Sequence, residues 1–223
     1  QNAIALQWDQ MEKTLQDPKV WGFIYGGTKT YETRIDYLLD LASEKTSTEK
    51  NKYYSFKHFY DKVKGVRLDK DLLIENAKTN TSFIEQEWND LKEIFEILLE
   101  WYNNKEYNHL IGFLIHHDHK VIDIVKEFKE NNRNDFKQEL KVKIKNNLNI
   151  DTVATLRYGG KDNKKIERVL LLHNVVNSLL VNDENVRFPF ERMKGKLWTL
   201  EHIFAQNSDD LREDDYIKWL EDH

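Results

Sequence analysis

The stretch that decides the fold is IEQEWNDLKEIFEILLEWY, residues 84–102. Its apolar positions recur at steps that alternate between four and three residues. They are Ile84, Trp88, Leu91, Phe95, Leu98 and Tyr102. This spacing places all six side chains on one side of an α-helix, so it predicts a long helix with an apolar seam that packs against another helix. We interpret the seam as a core face.

Shorter patterns extend the helical prediction in both directions from this stretch. Apolar helical periodicity is present over residues 4–15, 35–42, 110–115, 121–128, 136–144 and 166–181. The first helix is expected to end before Asp17-Pro18, and Thr30 is expected to cap the second. Residues 21–30, with three glycines, and the polar residues 43–51 are predicted loops. Residues 166–181 are apolar nearly all round, which is typical of a helix in the middle of a bundle.

Composition supports the helical class. The 223 residues include only 8 Gly and 2 Pro, too few for the frequent turns of an all-β fold.

There is no Cys, which excludes disulfide scaffolds and fits a cytoplasmic protein. No apolar run approaches the ~18–20 residues that span a bilayer, so no membrane contact is expected. Because the chain begins with Gln and shows no signal peptide, we expect it to be a piece of a longer protein.

The net charge of −5 is concentrated at the C-terminal end of the sequence. Residues 196–223 carry three basic and eight acidic side chains, which accounts for the whole excess. Such a segment is not expected to bind DNA by itself, because the phosphates repel it.

The pattern of residues changes after Asn182. Pro189 is incompatible with the middle of a helix, and Lys196 to Phe204 is rich in residues that favour strands. We therefore predict a mainly α protein, a helical bundle with a short β element near the C-terminus. Residues 1–181 form a helical connector domain in this prediction, and residues 182–223 begin a second unit.

A basic stripe runs along the predicted helix that contains Phe136. Its members are Arg133, Lys137, Lys141 and Lys145, spaced by four residues. The stripe is either a solvated helix face or a set of contacts with nucleic-acid phosphates. Asp135 and Glu139 interrupt the positive charge, so both interpretations stay open.

The run His116-His117-Asp118-His119 offers three imidazoles and a carboxylate, which are metal-ligand types. Adjacent side chains on a helix point about 100° apart, however, whereas helical ligand pairs are separated by three or four residues. We interpret the run as a polar turn between two apolar helices, with metal binding as the alternative.

Glu201-His202 is the second candidate site. On a straight strand the two side chains point to opposite faces, but a bend would let both point toward the same site. A carboxylate can bind a hard divalent metal, and an imidazole can deprotonate a water near neutral pH. From the residues alone, a chance Glu-His pair is the simpler explanation.

The segment around this pair resembles the GmrSD-type proteins, which are predicted modification-dependent (type IV) restriction endonucleases. The resemblance covers nearly the whole chain, in a specific order of segments. They are Ala5 to Leu15, Tyr31-Glu-Thr-Arg34-Ile35-Asp36-Tyr37, Ile111 to Ile115, Val169 to Asn174, Arg187-Phe188-Pro189-Phe190, and Lys196 to Asn207. In that family an N-terminal nucleotide-hydrolysing domain precedes a helical region and a C-terminal HNH-type nuclease.

The resemblance implies that Glu201 is a metal ligand and His202 the general base of a defence nuclease that cleaves foreign, base-modified DNA. The implied cofactor is a divalent metal ion, with Mg²⁺ the expected one. The implied partners are DNA and the N-terminal domain of the same polypeptide, whose Asp-Gly-Gln-Gln-Arg motif this chain lacks. Ala205-Gln206 departs from the Pro that many members have two residues after the Ile.

Only 21 residues follow His202, and they offer no well-placed second set of Asn and His ligands. The chain alone is therefore expected not to cut DNA. The alternative function is a non-enzymatic helical module that binds another protein, with Glu201-His202 incidental.

Overall fold

The computed structural model describes residues 2–46, 48–67, 73–117, 119–148, 150–158 and 160–193. Within them the chain is mainly helical, without β-strands, so the predicted helical class is confirmed. The α-helices are α1 Asn2–Leu15, α2 Pro18–Ile24, α3 Ile35–Ala42, α4 Tyr54–Arg67, α5 Leu73–Asn103, α6 Lys105–Ile115, α7 Val121–Glu130, α8 Arg133–Leu148 and α9 Asn163–Leu180. Two 3-10 helices span Ile150–Thr155 and Phe190–Met193. The predicted β element over 196–204 lies outside the described residues.

Helices α5 and α6 form the centre of the bundle. The predicted seam of α5 is confirmed at Leu91, Phe95 and Leu98, which are buried, whereas Ile84 is exposed. A sharp turn at Asn104 separates the two helices, and the Asn104 side chain accepts the N–H of Tyr107 at 3.0 Å, which caps α6. Nearly every residue of α6 is buried because helices α2, α5, α8 and α9 surround it.

The N-terminal helices pack on this centre. Helix α1 ends at Leu15 as predicted, but the loop expected over 21–30 begins only after α2. Asp17 caps α2 by accepting the N–H of Lys19 at 2.7 Å, and Pro18 occupies the first helical position. Gly22 lies inside α2 because a side chain there would collide with the backbone of Glu191. Glycine therefore marks a close approach here, not a loop.

Helix α3 begins at Ile35, and its start is held by a residue of α1. The Glu12 carboxylate accepts the N–H of Arg34 at 3.2 Å and that of Ile35 at 2.8 Å. The expected cap at Thr30 is wrong, since the first free N–H groups of α3 are satisfied by this distant side chain.

Helix α9 differs from its prediction as a helix in the middle of the bundle. Among its residues only Val175 is fully buried, while Leu170 and Leu180 are 42% and 75% exposed. The helix lies on the outside of the bundle, against α6 and α8. Apolar residues on every side of a helix favour burial of the whole helix. Whether other helices actually cover each side depends on the tertiary packing.

Residues 186–193 pack into the helical core. Phe188 and Phe190 are buried, and the Phe190 ring lies over Gly112 of α6. The Arg187 guanidinium donates to the carbonyls of Tyr102 at 3.3 Å and Asn103 at 2.6 Å, at the C-terminus of α5. The predicted domain boundary at 181/182 stays a prediction, because residues 194–223 lie outside the described part.

Among the helices that the structure describes, none combines the length and apolar character needed to cross a membrane.

Candidate functional site

The basic stripe, for which a solvated face and phosphate contacts both stay open, lies on α8. Its first member, Arg133, already has partners within the bundle. The Arg133 guanidinium lies 3.5 Å from the centroid of the Phe128 ring and donates to the Phe128 carbonyl at 3.1 Å. Its Nε also pairs with Glu100 of α5 at 3.3 Å. Arg133 therefore ties α8 to α5 and α7, which gives it a structural role whether or not it meets a phosphate.

The middle of the stripe faces Glu106 of α6. Lys137 and Lys141 each place their ammonium group 2.9 Å from a different oxygen of this carboxylate. Partial burial by itself raises the pKa of Glu106, but hydrogen bonds and positive charge from the two lysines outweigh it and lower the pKa below its usual value. The bond to Glu106 in turn raises the pKa of Lys137. One carboxylate thus engages two of the four cations of the stripe, although it offsets only a single positive charge.

Lys145 is exposed and has no ion-pair partner among the described residues. The stripe consequently offers one unpaired cation and three paired ones. Ion pairs at a protein surface contribute only about 0–1 kcal/mol each, so a phosphate can replace a carboxylate at modest cost. Whether these four side chains contact DNA remains a prediction.

The three described histidines of the 116–119 run have separate partners. His116 Nε2 donates to the Gly22 carbonyl at 2.9 Å, and its ring stacks on Phe190 with centroids 5.0 Å apart. His117 Nδ1 donates to the Phe113 carbonyl at 2.8 Å. His119 contacts Asn147 of α8 at 2.6 Å. In the described part of the chain no three His, Asp or Glu side chains converge as metal ligands, and Asp118 lies outside it.

Glu201 and His202, the predicted metal ligand and general base, also lie outside the described residues. The segment that leads to them is anchored, since Arg187 binds the end of α5 and Phe190 fills the space beside Gly112. The last described residue, Met193, packs against the core. The bundle thus holds the chain firmly up to eight residues before Glu201.

A polar cluster that the sequence analysis missed centres on Asp40 of α3. Its carboxylate binds the Lys29 ammonium at 2.8 Å, the Ser55 hydroxyl at 2.6 Å and the Tyr31 hydroxyl at 3.2 Å. Partial burial by itself raises the pKa of Asp40, but the hydrogen bonds from Lys29 and Ser55 and the charges of Lys29 and Lys45 lower it below 3.8. The cluster joins α3 to α4, and no periodic signal in the sequence reveals it.

Beside this cluster, four aromatic rings pack together, mostly edge to face. They belong to Trp21, Tyr25, Tyr31 and Tyr37, with neighbouring centroids 4.8–6.1 Å apart. The Arg34 guanidinium lies 5.0 Å from the Trp21 ring. Desolvation raises the pKa of Tyr31 and Tyr37, so both phenols stay neutral and act as packing groups.

A comparison of the chain with protein-family models, curated proteins and solved structures found no match. Assignment of function therefore depends on the residues themselves. Several residues that the sequence analysis singled out have structural contacts in the bundle. Trp8 stacks on Trp88 with ring centroids 6.2 Å apart, Glu12 caps α3, and Arg187 binds the end of α5.

Proposed function

We propose that this chain belongs to a cytoplasmic bacterial defence nuclease that cleaves foreign, base-modified DNA by metal-assisted phosphodiester hydrolysis. Residues 1–181 act as the connector between an N-terminal nucleotide-hydrolysing domain and the nuclease unit that begins near residue 182. The proposal is founded on the ordered resemblance to GmrSD-type proteins along nearly the whole sequence.

The observation that supports a connector role is the anchoring of residues 187–190. A connector must transmit a displacement of the bundle to the unit that follows it. Arg187 holds two backbone carbonyls at the end of α5, and Phe190 is 1% exposed between α2 and α6. Because interiors are close-packed, a shift of α5 or α6 moves this segment with it.

In the proposed site, Glu201 would hold a divalent metal ion, which would supply stabilisation of negative charge on the phosphate. His202 accepts a proton from the attacking water. An imidazole suits this task because its ordinary pKa lies near neutrality, so the neutral form is available at the pH of the cytoplasm. Arg133, Lys137, Lys141 and Lys145 are proposed to contact backbone phosphates, with Glu106 releasing two of them.

The test is replacement of His202 by Ala in the full-length protein. Cleavage is expected to fall by the ~10²–10⁴-fold typical of a lost general base. Thermal stability is expected to change by no more than about 0.5 kcal/mol, as for a surface substitution. Nucleotide hydrolysis is expected to continue, because the proposal places it in another domain.

The matched control is His173→Ala, which removes an exposed imidazole from α9. This control is expected to cleave as the unmodified protein does. If His202→Ala retains cleavage, or if it unfolds the protein while His173→Ala does not, the nuclease assignment is wrong.

One observation favours the second candidate function, a helical module that binds another protein. Helix α9 exposes Leu170 and Leu180, and Val181 beyond it is 46% exposed. Exposed apolar side chains that lie close together, as Leu180 and Val181 do in sequence, are a feature of interaction surfaces. Intact cleavage in His202→Ala, together with loss of a partner when Leu180 is changed to Gln, would favour this module over the nuclease.

A further inference from the structure

The outer side of α4 carries three exposed aromatic side chains. Tyr53, just before the helix, is 67% exposed, and Phe56 and Tyr60 are 70% and 53% exposed. Steps of three and four residues keep them on one side of the helix. The rings of Phe56 and Tyr60 are nearly parallel, with centroids 6.0 Å apart and an angle of 19°. We call these three residues the α4 aromatic stripe.

The opposite side of α4 fixes the orientation of the stripe. Ser55 is buried, and its hydroxyl bonds to Asp40 of α3 and to Ser43 at the C-terminus of that helix. Lys62 pairs with Glu87 of α5 at 2.9 Å. Because these contacts hold one side of the helix against α3 and α5, the aromatic stripe points away from the bundle.

Cations accompany the stripe. Lys57 lies between Tyr53 and Tyr60 on the same side of the helix, and Lys50 precedes it in the loop. Both are exposed, and neither has an ion-pair partner among the described residues. Lys52 is also exposed, and among the described residues its ion-pair partner is the exposed Glu32 at 3.3 Å. The acids nearby are the exposed Asp61 at the edge of this side and the half-buried Glu49 in the loop. The surface therefore combines flat apolar rings with the exposed ammonium groups of Lys50 and Lys57.

We propose that the α4 aromatic stripe binds single-stranded nucleic acid. Bases stack on Tyr53, Phe56 and Tyr60, while Lys57 and Lys50 contact the phosphates. Exposed aromatic rings beside cations are how proteins bind single strands without reading the sequence. A duplex is a poor occupant, because its base faces are covered by their neighbours. A partner protein with an apolar groove is also a poor occupant, since Lys57 would be buried in the middle of the contact.

This inference deepens the proposed function, and depends on it only for the expectation that the partner is a nucleic acid. The surface also differs from the basic stripe. Helix α4 packs mainly on α3 and α5, whereas α8 packs on α6, α7 and α9. Substitutions on the two helices therefore test the two surfaces separately.

The experiment measures fluorescence anisotropy of labelled oligothymidylate of about 12 nucleotides, within the site sizes common for such proteins. The 223-residue chain is titrated against it, and against a duplex of the same length, at low salt. We expect tighter binding to the single strand. Each of Tyr53→Ala, Phe56→Ala and Tyr60→Ala is expected to weaken that binding by about 5-fold or more. Tyr53→Phe and Tyr60→Phe are expected to retain it, because the ring remains.

Two further variants, Phe56→Leu and Lys57→Gln, distinguish base stacking from general apolar contact and from phosphate contact as sources of affinity. Phe56→Leu keeps an apolar side chain without a ring face, and is expected to bind as weakly as Phe56→Ala. Lys57→Gln is expected to reduce the slope of log affinity against log salt by about 0.7, the value for one phosphate of a single strand. Leu170→Ala and Leu180→Ala on α9, which remove other exposed apolar groups, are expected to leave the affinity for the single strand unchanged. Circular dichroism checks that each variant is folded.

The proposal is overturned if the unmodified chain binds no single strand, or if the three alanine variants bind it as the unmodified chain does. It is also overturned if the duplex binds better and only the α8 lysine variants weaken it. None of these results bears on the His202→Ala cleavage test, so failure of this inference and failure of the proposed function are distinguishable.

Discussion

Gly22 of α2 lies directly against the backbone of Glu191. A Cβ atom at Gly22 would come within 2.5 Å of the Glu191 Cα and 2.6 Å of its nitrogen. This contact fixes the segment that follows Arg187 against the N-terminal part of the bundle. It also explains why a residue with poor helix propensity is found inside a seven-residue helix.

Gly22→Ala is therefore expected to destabilise the protein by up to about 2 kcal/mol. Overpacking against a backbone costs about 1–3 kcal/mol, and the ~1 kcal/mol gained in helix propensity offsets part of it. Chemical denaturation followed by circular dichroism measures the change. Gly160→Ala is the matched control, because no described residue other than its chain neighbours comes within 4 Å of the added Cβ. The stability of this variant is expected to be unchanged or slightly raised. Equal effects of the two substitutions would contradict the close approach at Gly22.

Asp40→Asn is expected to cost about 1–3 kcal/mol at neutral pH, because Lys29, Ser55 and Tyr31 lose a charged acceptor. The folded state lowers the pKa of Asp40 below 3.8, so the stabilisation is complete above that pH and is lost as the pH falls further. The difference in unfolding free energy between the protein and Asp40→Asn should therefore shrink below about pH 4. Asp61→Asn, an exposed acid of α4, is the control, and a cost as large as that of Asp40→Asn would refute the role of the cluster.

His109 of α6 is fully buried, with Nδ1 donating to the Lys105 carbonyl at 2.7 Å. Burial lowers its pKa below 6.5, so the folded protein keeps the imidazole neutral while the unfolded chain takes up a proton. The stabilisation is complete above about pH 6.5 and declines as the pH falls below it. His109→Gln is expected to reduce the loss of stability between about pH 7 and pH 5. His173→Gln, at an exposed position, is the control, and identical pH profiles for both variants would contradict this account.

Glu106→Gln removes the acid that pairs with Lys137 and Lys141. If the basic stripe contacts phosphates, this substitution should strengthen duplex binding and steepen its salt dependence. Replacing Arg133, Lys137, Lys141 and Lys145 by Gln should do the reverse, by up to about 0.9 in log–log slope for each lost phosphate contact. Anisotropy measurements at several salt concentrations give both slopes. Unchanged slopes in both variants would return the stripe to the role of a solvated, ion-paired helix face.

Sequence patterns predicted most of the helices in the bundle, because helical periodicity is a local property. The seam of α5 and the apolar faces of α7 and α8 are buried as their spacing requires. The prediction is wrong where the identity of a residue is explained by a contact with a distant segment. The sequence predicts a loop at Gly22 because glycine breaks helices. In the structure, Gly22 lies inside α2, and only a glycine fits there because the Glu191 backbone is so close.

The candidate sites were predicted less completely than the fold. The spacing of Arg133, Lys137, Lys141 and Lys145 shows that they share a helix side, but the sequence contains no sign that Glu106 opposes two of them. The members of the Asp40 cluster lie on different elements, so their spacing in the sequence does not predict the cluster. No helix was predicted over α4 from the sequence, and the α4 aromatic stripe was therefore not identified. Glu201 and His202 were singled out by resemblance, and their roles stay predictions.

The sequence by itself determined the helical class, the limits of α1 and the position of the central seam, because these follow from the spacing of apolar residues along one segment. Only the tertiary structure decided that α9 lies outside the bundle, that Glu106 pairs with both Lys137 and Lys141, and that Tyr53, Phe56 and Tyr60 face solvent. The physical reason is that burial and charge pairing depend on which distant segments become neighbours. That choice is made by the free energy of the whole packed core, not by any one stretch of the chain.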